Sequence, residues 1–96
     1  MKSGDRARLQ AAADLFRHLS DPCRLHLLML LADRERSVGQ LARLLGVTIS
    51  AVSHQLRQLR TARLVERRRA GQTCFYRLID AHIEALVKSG LDHVLE

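Results

Sequence analysis

The sequence predicts a mainly α-helical domain with a small β-hairpin wing, and three observations carry that reading. Five segments repeat apolar residues at helical spacing. A glycine, Gly46, separates two of these segments, with Thr48 placed to cap the second. Two short stretches, 64–68 and 73–78, flank Arg69-Ala70-Gly71-Gln72, and the second is rich in β-favouring residues.

The first helix is expected over 6–19, where Leu9, Ala12, Ala13, Phe16 and Leu19 recur on one side, with residues 1–5 frayed. Ser20-Asp21-Pro22 reads as a cap followed by proline in the first turn of a second helix, reaching about Ala32. Apolar residues surround most of that helix, so it is expected at the centre. Ser37 caps a short third helix, Val38 to Leu45, and Gly46 supplies the positive φ that ends it. The fourth helix runs from about Ile49 to Thr61, with Val52, Leu56 and Leu59 facing inward. Helix, glycine turn and helix make a helix-turn-helix, although an ordinary αα-hairpin has the same outline. The outer side of the fourth helix favours the former. Ser50, Ser53, His54, Gln55, Arg57 and Arg60 put short hydroxyls at its start and longer donors one turn on, as a groove-reading helix needs. With the hairpin, whose tip is expected to carry Arg67, Arg68 and Arg69, the arrangement is a winged helix-turn-helix. A last helix spans 80–96.

At 96 residues and 47% hydrophobic content the chain makes one domain, 1–96, with a core of its own. No apolar run reaches the ~18 residues of a membrane span, and the charged start does not read as a secretory leader. Cys23 and Cys74 lack the spacing of a disulfide scaffold, so a cytoplasmic chain with reduced thiols is expected. Only 3% of residues are aromatic, which disfavours stacking on single strands. The net charge of +6 is concentrated: between His54 and Arg77 lie Arg57, Arg60, Arg63, Arg67, Arg68, Arg69 and Arg77 against one acid, Glu66. A solvated basic face would show this, but so polarised a cluster on a small domain points to a polyanion, and arginine forks suit phosphates and base edges.

The motifs Leu19-Ser20-Asp21-Pro22-Cys23-Arg24-Leu25, Ser37-Val38-Gly39-Gln40-Leu41-Ala42 and Ser50-Ala51-Val52-Ser53-His54-Gln55-Leu56-Arg57, with Gly71 and Phe75-Tyr76 in the wing, resemble the ArsR/SmtB family of winged-helix metal-sensing repressors. The likeness covers about residues 13–96. It implies a homodimer joined through its first and last helices, sitting on double-stranded operator DNA and released by an effector. Thr48, Ser50, Ser53, His54, Gln55, Arg57, Arg60, Arg67, Arg68 and Arg69 are the expected DNA contacts.

In the last helix, His82 and His93 are eleven residues apart. They lie about 20° apart around the axis but about 16 Å apart along it. One helix cannot close a tetrahedral site whose donors sit ~2 Å from the ion. Two antiparallel copies can, with Asp80 and His82 of one chain meeting His93 and Glu96 of the other across a twofold. Ile79, Ile83, Leu86, Val87, Gly90, Leu91 and Val94 supply the apolar stripe for that pairing. The spacing resembles the C-terminal-helix site of the family's zinc sensors, and a nitrogen and oxygen set suits Zn(II), with Co(II) as a substitute. In the family, a ligand histidine's second ring nitrogen reaches backbone just after the recognition helix, near Arg63 here.

Two surface histidines and two acids on a polar helix can also be without function. Cys23, at the start of the second helix, keeps open a regulator that senses thiol oxidation or persulfide, or a metal pair with His26. Cys74, His18 and His26 read as structural. A zinc hydrolase would need an open coordination position and a pocket, so no enzyme and no small-molecule substrate is expected. A purely structural interaction protein would explain the apolar stripe and leave the arginines without a role.

Overall fold

The computed structural model describes residues 2–95. The elements in order are α1 (Ser3–Leu19), α2 (Pro22–Asp33), β1 (Arg36–Ser37), α3 (Val38–Leu45), α4 (Ile49–Thr61), β2 (Val65–Ala70), β3 (Thr73–Leu78) and α5 (Ala81–Leu95). Among the described residues no helix is long and apolar enough to cross a membrane.

Each helix start has a chemical cause. Asp21 Oδ2 accepts from the Arg24 backbone N–H at 3.0 Å, and Pro22 occupies the first turn of α2. Ser37 and Gln40 form a capping box on α3: Ser37 Oγ accepts from Gln40 N–H at 3.2 Å, and Gln40 Oε1 accepts from Ser37 N–H at 2.9 Å. Thr48 Oγ1 caps α4 through the Ala51 N–H at 3.0 Å. The α3 helix ends at Gly46 with φ 69°, where the Val47 N–H donates back to the Ala42 carbonyl at 3.1 Å. The α4 helix closes in the same way, with the Leu64 N–H donating to the Leu59 carbonyl, but Arg63 holds the left-handed position at φ 59°. A side chain in that conformation costs about 1–2 kcal/mol relative to glycine.

The core is the inner face of α2, α3 and α4 closed by the hairpin and α5. Leu27, Leu28, Leu41, Leu56 and Leu59 are fully buried, and Val52 and Val87 nearly so. The sheet covers this core with Val65, Tyr76 and Leu78, which share one face in register. Gly71, with φ 63°, takes the first central position of the two-residue turn between Ala70 and Thr73.

Three features depart from the sequence reading. The first helix begins at Ser3, ahead of the apolar pattern, and α1 has no buried residue: Leu9 and Phe16 stay 54% and 56% exposed. A strand not anticipated, β1, pairs antiparallel with β3, giving a three-stranded sheet of order β1-β3-β2. Two residues are too few to show alternation, so only the distant partner reveals this strand. The hairpin is also longer than expected. Arg67, Arg68 and Arg69 lie within β2, paired with Tyr76, Phe75 and Cys74, and the tip is Gly71-Gln72.

Candidate nucleic-acid interface and metal-site residues

Along α4, residues 50, 54, 57 and 61 fall within about 60° of one another around the axis. All four are exposed, opposite the buried Val52, Leu56 and Leu59. Ser50, His54, Arg57 and Thr61 therefore form a continuous polar stripe, flanked by the half-buried Ser53 and the exposed Arg60. Gln55 departs from it. It lies about 140° round from Ser50, beside the buried arc, and is half-buried. Thr48 commits a lone pair of its hydroxyl to the cap of α4. Ile49 and Val47 stand exposed at the leading end of the helix, 59% and 39%.

The pleat divides the wing arginines. Arg67 and Arg69 take the face of Tyr76 and Cys74, while Arg68 takes the opposite face with Phe75. There Arg68 grips Glu35 with two donors, Nη2 at 2.6 Å and Nε at 3.3 Å, and its guanidinium lies 5.0 Å from the Phe75 ring centroid. The Arg68 hydrogen bond holds the Glu35 carboxyl below its ordinary range and raises Arg68 in return. Arg68 is thus a tie between the wing and the chain before β1. Arg77 pairs with Glu66 across the strands. Arg67 and Arg69 are exposed and make no ion pair among the described residues, which leaves their forks available to phosphates.

At the start of α5, Asp80 Oδ1 accepts from the Ile83 N–H at 3.0 Å and stands 3.8 Å from His82 Nδ1. The His82 side chain is 96% exposed, and His93 is exposed at the far end of the same helix. Glu96 lies outside the described residues. Among those described, no three His, Cys, Asp or Glu side chains gather within one protomer. The structure therefore brings Asp80 and His82 together and leaves His93 about a helix length away. Solvent-facing imidazole and carboxylate donors fit a borderline divalent ion.

Between α1 and α5 runs an apolar groove of about 250 Å³ lined by Phe16, Leu19, Leu86, Gly90, Leu91 and Val94 among others. With no buried residue in α1, this groove and the exposed Leu9 and Phe16 of α1 leave an apolar face uncovered among the described residues.

The model of the family described as bacterial regulatory protein, arsR family, matches residues 21–67. The chain is 40% identical over 87 residues to the HTH-type transcriptional regulator NmtR of Mycobacterium tuberculosis, covering 88% of this chain and 72% of that one. This protein belongs to the ArsR family. Other relatives of this ArsR-family chain include a transcriptional repressor SmtB homolog of Synechocystis, 46% identical with 91% of this chain and 66% of that one covered. The regulator KmtR of M. tuberculosis is 49% identical, with 77% and 57% covered. The chain spans less than two thirds of the length of these last two. Among solved structures, the homodimeric winged helix-turn-helix DNA-binding domain Mb0332 of Mycobacterium bovis superposes with TM-score 0.86. It is 32% identical, and 100% of this chain and 92% of that one are covered. The winged helix-turn-helix fold of this ArsR-family chain is thereby settled.

Both cysteines of this ArsR-family domain are free: Cys23 is exposed in the first turn of α2, and Cys74 is half-buried on β3. Two residues escaped the sequence reading. Glu35 lies far from Arg68 in sequence, so no local pattern reveals their bond. Arg24, with a half-buried guanidinium beside His18, was hidden because the stripe of α4 ends against it only in three dimensions.

Proposed function

We propose that this protein is a dimeric DNA-binding transcriptional repressor whose hold on its operator is weakened by a divalent metal ion, Zn(II) first. The observation that carries the DNA reading is the exposed α4 stripe flanked by a wing whose Arg67 and Arg69 are unengaged among the described residues. Ser50, Ser53 and His54 approach the major groove. Arg57 and Arg60 lie one turn further on, and Arg67 and Arg69 hold phosphates. Arg68 contributes by fixing the wing. Thr48 acts through the cap it places on α4, and Gln55, turned aside, supports packing.

The second half of the proposal concerns α5. Asp80 and His82 of one protomer, with His93 and Glu96 of its partner, would hold the ion, giving two equivalent sites. Held by these residues, the ion would cross-link the two protomers. An effector weakens DNA binding only as far as it favours a dimer shape that DNA does not. On this reading Asp80 and His82 supply one half of each donor set and His93 and Glu96 of the partner subunit the other, so that the set would be complete only in the dimer. Arg63, held at positive φ directly after α4, is where a ligand histidine's second nitrogen would reach the reading helix.

The test is fluorescence anisotropy on duplex DNA flanking the protein's own gene, with zinc titrated into the complex. Wild type is expected to release the duplex. His82→Ala and His93→Ala are expected to bind it normally and stay bound. An unchanged zinc response in both variants defeats the site. Release by persulfide that is lost in Cys23→Ser would instead favour the exposed thiol as sensor.

A further inference from the structure

The α4 stripe does not end in open solvent. Its last members, Arg57 and Thr61, form one wall of a cleft of about 390 Å³ whose other wall is His18 and Arg24 from the α1–α2 junction, with Gln58 and Ala62 completing the lining. Arg24 Nη1 lies 3.3 Å from His18 Nδ1. A guanidinium can only donate, so in this contact Nδ1 is the acceptor. His18 thus aims the arginine without neutralising it. Arg24 and Arg57 form no ion pair among the described residues, and no carboxylate lines the cleft. The nearby acid, Asp21, is committed to capping α2. Two guanidinium groups without carboxylate partners among the described residues thus line one solvent-open cleft, where an anion would meet favourable charge from both.

We propose that this cleft is an oxyanion site that takes a phosphate group. Arg24 and Arg57 supply charge-assisted donors, and the Gln58 amide can supply a neutral one. The Thr61 hydroxyl is spent on the Arg57 carbonyl at 3.0 Å and shapes the wall only. The phosphate source that fits the position is the backbone of duplex DNA, because the cleft continues the exposed line of α4 beyond Arg57. The α1–α2 junction then joins the helix-turn-helix and the wing as a third anchor that positions the chain without reading sequence. This rests on the DNA-binding reading above. A free phosphate ion offers the same chemistry, and the experiment separates the two sources.

Arg24→Gln, Arg24→Lys and Arg57→Gln are compared with wild type by anisotropy over a salt series, on the flanking duplex and on a scrambled one. In parallel, inorganic phosphate is titrated into DNA-free protein while the His18 ring and Arg24 side-chain NMR signals are followed. The expected result is a roughly tenfold loss for Arg24→Gln on both duplexes. The salt slope should also fall by about one unit, and Arg24→Lys should keep it. Arg57→Gln lowers affinity through the α4 stripe in any case and serves as the comparison, and Arg24→Ala stands in should Arg24→Gln fold poorly. Saturable phosphate shifts in wild type, lost in Arg24→Gln with duplex affinity unchanged, would assign the same site to free phosphate. Unchanged duplex binding in the Arg24 variants, with no saturable phosphate response in wild type, overturns the proposal. Should wild type bind neither duplex, the repressor reading fails, and the phosphate titration still decides the cleft.

Discussion

Phe16→Ala probes the uncovered face of α1 most directly. In the isolated chain Phe16 is 56% exposed and lines the apolar groove against α5. A phenylalanine presents about 150–250 Å², so roughly 100 Å² of this ring awaits a partner. At about 25 cal/mol per Å², covering it contributes about 2.5 kcal/mol. A twofold interface uses the residue twice, for about 5 kcal/mol per dimer. That corresponds to between three and four orders of magnitude in the dimer dissociation constant at ~1.4 kcal/mol per decade. Conversion of area to affinity is incomplete, so about a hundredfold is the floor. Analytical ultracentrifugation over a concentration series measures the constant. Because α1 has no buried residue, the monomer's helical circular dichroism should be retained. A dissociation constant within tenfold of wild type would refute the reading that the proposed dimer covers this face of α1.

Two further outcomes follow from the core and the wing. Leu56→Ala empties a fully buried site beneath the α4 stripe and should lower stability by about 2–5 kcal/mol in urea denaturation. A loss below about 1 kcal/mol would mean that α4 is not seated as described. The Glu35 carboxyl is held below its ordinary 4.5 by its hydrogen bond to Arg68. The tie is therefore fully present above pH 4.5 and lost as pH falls through the lower, folded value. Arg68 Nε–H exchange should quicken over that acid window in wild type and be fast at every pH in Glu35→Gln. Exchange that is equally slow in both would disprove the tie.

Much of the reading chain was legible because its signals are local. Ser37 with Gln40, Thr48 with Ala51, and Gly46 each act within a few residues, so α3, the turn and α4 begin and end where the sequence places them. The inward positions Val52, Leu56 and Leu59 follow from helical periodicity alone. The wing was legible in outline only. Its pairing extends two residues beyond the expected first strand, which moved the three arginines off the tip and, through the pleat, to opposite faces.

The sequence by itself determined the helices, the caps, the concentration of arginine after His54, and the spacing of Asp80, His82 and His93, since each depends on neighbours along the chain. Only the tertiary structure decided which arginines are engaged. Arg68 is tied to Glu35, Arg77 is matched with Glu66, and Arg24 and Arg57 line one cleft. Charge is a property of composition, whereas the partner of a charge depends on through-space distance, and chain closure sets that distance between residues far apart in sequence.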